Sequence, residues 1–464
     1  MKKILIFLIV CAFFLTTPLT GQTTWTVDAG GGEDFTTIQA AINAASDGDT
    51  IIVVAGTYLE HIIVNKGVSI LAKEGDNPIV DGSGTLTCFG IYKDVGLNGV
   101  TIDGFEIQNA TYGIWTYGAP STYANIILSN NNIHDHTNGI YVTDATINAL
   151  TISGNTVENC DFGVAFANNS TVNGLLFDTN RIINNQAGAG LSLISSAFSN
   201  VLVTNCHFEG NAWEHIDLGL WGNYPTLSNI SITGCTFLSG PAWCDIYVQA
   251  NFTDNTDVII NFNEFPLSPH NWGIFNGTTN IVDGRFNWWD DVSGPYNDGN
   301  TDGLGLINLG AGDIVTEYVL YDPWIGQGGF VTGGGTIWSE MGDYAWAPEA
   351  EGQANFGFVA KYKKGANTPD GNTNFVFQAG NLHFQSTEYD WLVIAGKTAQ
   401  FKGKGTIEGV SGLYKFKLWG TDDDPDTFRI KIWEEVSNTE VVIYDNGGDP
   451  LTGGNIFIHK EKNK

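Results

Sequence analysis

His215, Asp217, Asp245 and Tyr247 are the residues of this 464-residue chain whose types and spacing best suit chemistry. A histidine beside carboxylates can act as general base or general acid near neutral pH. Two aspartates can instead divide the acid and base roles of glycoside hydrolysis, where carboxyl separation decides the stereochemical outcome. They can also hold Ca²⁺ through oxygen. Whether these residues converge depends on the elements that carry them.

Those elements repeat. The segments SNNNI from Ser129, SGNTV from Ser153, DTNRI from Asp178, TNCHF from Thr204, TGCTF from Thr233 and NFNEF from Asn261 align. One column then holds Asn131, Asn155, Asn180, Cys206, Cys235, Asn263 and Asn287, at steps of 24, 25, 26, 29, 28 and 24 residues. A second motif follows each: Gly139-Ile140, Gly163-Val164, Gly190-Leu191, His215-Ile216, Asp245-Ile246 and Gly273-Ile274. A fixed period of this size means a solenoid. The units are β-rich runs broken by Asn, Gly, Asp and Ser, without a helical period. At ~3.3 Å per residue, three short strands and three turns consume about 25 residues, one coil. Stacked coils lie ~4.8 Å apart, so equivalent side chains form ladders. Asparagine suits the column because it tolerates left-handed geometry and can pass amide hydrogen bonds between coils. Cys206 and Cys235 fit it as small buried hydrophobes, and a disulfide between these neighbours stays open.

Side chains alternate along a strand, so Ile140, Val164, Leu191, Ile216, Ile246 and Ile274 are expected inward. One outward column then reads Trp115, Tyr141, Ala165, Ser192, Asp217, Tyr247, Phe275. A second expected outward column reads Gly113, Gly139, Gly163, Gly190, His215, Asp245, Gly273. Small residues leave a shallow trough with aromatic rings toward both ends, a platform for sugar C–H faces. Trp115, Tyr141, Ser192 and Phe275 are the expected substrate contacts. His215, Asp217, Asp245 and Tyr247 form the expected catalytic patch, where the glycine column breaks. The rival is His134-Asp135-His136 with Glu158 and Asp161 near it. Arg181 stands alone in the central coils, which argues against a cationic base. Trp213, Trp221 and Trp243 are candidates to wall the trough.

The pattern resembles the right-handed parallel β-helix proteins of the pectin-lyase-like class. In particular it resembles the generic repeat family that includes periplasmic copper-site and carbohydrate-binding proteins. The resemblance runs from about Thr24 to Pro323. Gly48-Asp49-Thr50-Ile51 and Gly56-Thr57-Tyr58 resemble the opening coils of such proteins, and Phe286-Asn-Trp-Trp-Asp-Asp-Val-Ser-Gly-Pro295 resembles their closing coil. The resemblance implies the fold, which hosts lyases, hydrolases, esterases, epimerases and non-enzymatic adhesins. No Gly-x-Ser-x-Gly elbow appears, and the signatures of pectin methylesterases, polygalacturonases and pectate lyases are not visible.

Lys2, Lys3 and the apolar run ILIFLIVCAFFL read as a signal peptide over residues 1–21, implying a secreted, cell-surface or periplasmic protein. No apolar segment is long enough to span a membrane. A short helix from Phe35, with Ile38, Ala41, Ile42 and Ala45 on one face, suits an end cap. From Gln22 to Phe330 there are five Lys and Arg against 32 Asp and Glu, a net −27; from Val331 onward, 13 against 18, a net −5. The break marks two domains and excludes nucleic acid as partner. A polyanionic sugar would need Ca²⁺ to bridge it to the first domain; otherwise the partner is a neutral glycan. The five mature cysteines, too scattered for a disulfide framework, are expected to be structural. Residues Pro295–Asp313 are an irregular segment where Ca²⁺ is the candidate ion, and no other cofactor is implied. The organisation expected is a β-helix over 22–325, a glycine-rich linker over 326–335, and a β-sandwich of about eight strands over 336–464. The sum is an exported all-β protein whose parallel β-helix binds a polysaccharide; whether it also cleaves it, by hydrolysis or β-elimination, stays open. The alternative is a non-enzymatic glycan-binding, adhesion or surface protein. Oligomeric state is left open.

Overall fold

The computed structural model describes residues 22–118, 122–194, 197–219, 225–238, 243–253, 257–265, 272–291, 293–297, 308–322, 324–325, 329–363, 368–395, 397–436 and 439–460. The expected signal peptide, Trp221 and residues 298–307 lie outside them. No helix among the described residues is long and apolar enough to cross a membrane.

The first domain is the expected right-handed parallel β-helix, and the helix Ile38–Ala44 packs against its first strands. Thr37 caps that helix by accepting from the Ala40 N–H, and the Glu60 carboxylate accepts from Ile38 and Gln39. Ile38, Ala41 and Ile42 join the core. Each central coil contributes an eight-residue strand, such as Thr146–Ser153, Thr171–Asp178 and Ala197–Thr204, to a continuous face of twelve described strands. A turn leads into a three-residue strand, such as Thr156–Glu158 or Arg181–Ile183, and a second turn into the strand that carries the trough. Phe208, Phe237, Phe265 and Trp289 stack through the core with centroids 5.3, 5.0 and 4.8 Å apart.

The asparagine column is the ladder read from the sequence. Asn131 Nδ2 donates to Asn155 Oδ1 at 3.0 Å, Asn155 Nδ2 to Asn180 Oδ1 at 3.1 Å, and Asn263 Nδ2 to Asn287 Oδ1 at 3.1 Å. The left-handed residue is the one before each rung: Asn130, Thr179 and Asn205 have φ of 54°, 53° and 52°. Cys206 and Cys235 sit in the column as free buried thiols. A second ladder occupies the next turn, where Asn185 Oδ1 accepts from the Cys160 N–H and Asn185 Nδ2 donates to Asn211 Oδ1 at 2.8 Å.

The C-terminal domain has its own core. Instead of two separate layers, its strands follow one another in a single ten-stranded sheet that folds over on itself. Phe356 and Phe428, on strands far apart in that order, stack at 3.8 Å. The segment expected as a linker is largely strand: Gly329–Ser339 pairs antiparallel with both Gly352–Tyr362 and Gly453–Lys460. Its glycines serve close approach, because a Cβ on Gly333 would lie 2.5 Å from the Phe358 ring.

Candidate functional site

The trough strands stack in the register expected for their outward column. Trp115 pairs with Tyr141, Tyr141 with Ala165, Ala165 with Ser192, Ser192 with Asp217, Asp217 with Tyr247, and Tyr247 with Phe275. Aromatic clusters mark both ends. Tyr141 stacks on Tyr112 at 5.1 Å, Tyr112 meets Trp115 at 4.6 Å, and Trp115 stacks on Tyr117 at 3.9 Å. At the far end Trp243 meets Tyr247 at 4.9 Å and Phe275 at 5.0 Å, and Trp272 meets Phe275 edge-on at 5.5 Å. Between them lie Ala165, Ser192 and Asp217. Trp213 and Trp243 are exposed.

The glycine column does not face outward, which corrects the expected patch. The pairing steps over Gly139 and Gly163, joining Asn138 to Phe162 and then Ile140 to Val164. A Cβ on Gly139 would lie 2.5 Å from Val157 Cγ1 in the core, and one on Gly163 would lie 2.4 Å from the Gly190 carbonyl oxygen. The column therefore turns inward at a corner, where alternation fails. His215 accordingly lies inside, 6.1 Å from Phe208 and 5.9 Å from Phe237 by ring centroid. Its Nδ1 accepts from Asn211 Nδ2 at 3.0 Å, which leaves the proton of the neutral ring on Nε2. Burial pulls its pKa down to about 3. Asp245 Oδ1 is 3.6 Å from that Nε2, near enough for an ion pair. Burial and then the charge of Asp313 push the Asp245 carboxyl well above the carboxylate range. Neither reaches the trough.

The same corner places beside the trough column a buried residue that the sequence columns missed. Glu214 occupies the position of Tyr112, Asn138, Phe162, Cys244 and Trp272. Tyr112 and Trp272 stack on trough rings, so this column borders the trough. Glu214 and Asp217 flank the inward pair His215-Ile216 on the trough side of the strand, where both are buried. The signal was present as a polar residue three positions before a trough residue, but strict alternation placed it on the opposite side. Both carboxyls are 1 % exposed, and Glu214 Oε2 and Asp217 Oδ1 have no hydrogen-bond partner among the described residues. Burial pushes the Glu214 pKa up to about 7. Burial, then the Glu214 charge, push Asp217 well above the carboxylate range, opposed by the Gly219 backbone hydrogen bond. Such a pair keeps a proton at neutral pH and can present one acid and one base. The Tyr247 hydroxyl is engaged by the Gln249 side chain.

The rival residues come together in part. His134 lies 2.8 Å from Asp135 and 3.4 Å from Glu106 and is the register partner of Glu158, whereas His136 is buried between the backbone of Ala110 and Ile107. Arg181 faces the C-terminal sheet. Among the described residues, no group of three or more His, Cys, Asp or Glu is arranged to hold a metal ion.

Residues 61–256 match the family model described as right handed beta helix region. The fold is similar to the crystal structure of alginate lyase from Paenibacillus sp. str. FPU-7, at 13 % identity over 64 % of this chain and 99 % of that one, TM-score 0.42. It is also similar to the complex of XylC with xylose, at 11 % identity over 72 % of this chain and 89 % of that one, TM-score 0.33. The enzymatically active domain of bacteriophage CBA120 tailspike protein 2 aligns at 12 % identity over 96 % of this chain and 79 % of that one, TM-score 0.26. No curated protein matches the chain.

Proposed function

We propose that the trough binds an extended polysaccharide and that Glu214 and Asp217 cleave it. Four coil steps separate Tyr141 from Tyr247, about 19 Å at the spacing of stacked strands. A glycan lying along the helix axis would rest its rings on the aromatic clusters and cross the carboxyls between them. The protonated carboxyl then donates to the glycosidic oxygen. The other, ionised, takes a proton from water or from the sugar carbon that loses it in β-elimination. The carrying observation is the pair of buried, unpartnered carboxyl oxygens between two aromatic ends. Export, as expected from the N-terminal segment, would place such a protein where polysaccharides are met.

The test is a panel of polysaccharides assayed for reducing ends and for ultraviolet-absorbing unsaturated products. Glu214→Gln and Asp217→Asn are expected to lower turnover on the responsive glycan at least ~100-fold while leaving binding in place. The exposed Trp243 favours a second reading, in which the trough only binds. That reading holds if no glycan is turned over while Trp243→Ala and Tyr141→Ala weaken binding.

A further inference from the structure

A cleft of about 1030 Å³ separates the short-strand side of the β-helix from the outer face of the C-terminal sheet. Six of the 13 Lys and Arg that follow Phe330 line it: Lys402, Lys404, Lys415, Lys417, Arg429 and Lys431. They share a single face, and several stand directly opposite one another. Lys402 is paired with Lys417, Lys417 with Lys431, and Lys404 with Lys415. Like charges opposite one another on adjacent strands oppose sheet formation. Within the sheet, Lys404, Lys415, Lys431 and Arg429 find Glu388, Glu435, Glu440 and Asp445. Lys402 and Lys417 have no ion pair among the described residues, nor does Arg181 on the opposite wall. The β-helix is strongly acidic, so these cations could have served as glue to it. Yet no described ion pair crosses the cleft; among the described residues the helix wall lines it with Glu264 and Asp290, and Asp178 feels the charges of Glu440 and Lys431. Aromatic rings from both walls surround the ammonium groups: Lys417 Nζ lies 4.4 Å from the Phe262 ring of the β-helix, 5.2 Å from the buried Trp391 and 4.8 Å from Trp419, and Lys431 lies 5.6 Å from the buried Trp433.

We propose that this cleft is a second glycan site, selective for a chain of uronate sugars, whose carboxylates meet the lysine ladder beside Trp419. The proposal rests on the carbohydrate reading only for the class of ligand. It needs no chemistry at Glu214, and it assigns acidic sugars to a surface other than the trough. Lys417 fits the role. Burial, then the charges of Lys402, Arg429 and Lys431, pull its pKa down to about 7, and a bound carboxylate would restore the proton.

The test is calorimetric binding of polygalacturonate oligomers and of neutral dextran to the full chain carrying Glu214→Gln, so that cleavage cannot consume the ligand. Polygalacturonate is expected to bind and to weaken with added salt, and dextran to bind more weakly. Lys402→Gln with Lys417→Gln should weaken polygalacturonate by about tenfold or more, without lowering the melting temperature, because these two directly opposed lysines have no described ion pair to lose. Lys402→Arg should keep the affinity, and Tyr141→Ala in the trough should leave it unchanged. Affinity unmoved by the double substitution, loss with Tyr141→Ala alone, tighter dextran binding, or displacement of polygalacturonate by oligothymidylate would each overturn the proposal.

Discussion

Glu214 and Asp217 keep carboxyl oxygens away from both water and donors, an arrangement that works against folding at high pH. A carboxyl whose folded pKa is raised contributes stability below its unfolded pKa and loses it as pH rises through the folded value. For Glu214 the window runs from about 4.5 to above about 7. Complete loss is worth on the order of 3 kcal/mol. The protein should therefore be less stable to denaturant at pH 8 than at pH 5, and Glu214→Gln should flatten that difference. His215 and Asp245 provide the contrast. Both face the core, so Asp245→Asn and His215→Gln should alter stability but leave kcat/KM within about threefold, since they remove no interaction with a bound chain. A loss at either position as large as that of Glu214→Gln would return them to the reaction.

At the scale of the coil, the asparagine rungs were legible because their period survives every insertion in the loops. What alternation alone could not show was the corner before the trough strand. There Gly139 and Gly163 exist because a Cβ would strike the core, and two consecutive residues point inward. That local break moved His215 and Asp245 inside and brought Glu214 beside the trough. The second ladder, Asn185 to Asn211, was hidden because its other positions hold His136 and Cys160. Asn155→Ala should cost about 2–4 kcal/mol in chemical denaturation, because it strands buried partners in two neighbouring coils. Asn155→Cys should cost less, as the natural rungs Cys206 and Cys235 indicate. Gly139→Ala should be at least as damaging as Asn155→Ala, since its Cβ meets both Val157 and the Gly163 carbonyl below 3 Å.

At the scale of the whole molecule, the charge break was a poor guide to surfaces. Net charge counts could not show that the cations of the second domain gather on one face toward the acidic β-helix. The glycine-rich segment misled for a similar reason, since composition reads as a linker what close strand approach requires. The net −27 of the first domain implies self-repulsion that salt screens. Raising NaCl from ~20 mM to ~300 mM, which shortens the screening length from roughly 20 Å to roughly 6 Å, should raise the melting temperature. An unchanged or lower value would mean that the acidic surface is already compensated. The central claim is chemical, and it is met most directly by measuring turnover and binding together on the one glycan that responds in the panel. Unaltered protein should cleave it, with Glu214→Gln and Asp217→Asn binding it equally well and cleaving at least ~100-fold more slowly. Cleavage by both variants at the rate of the unaltered protein would contradict the assignment of the trough carboxyls.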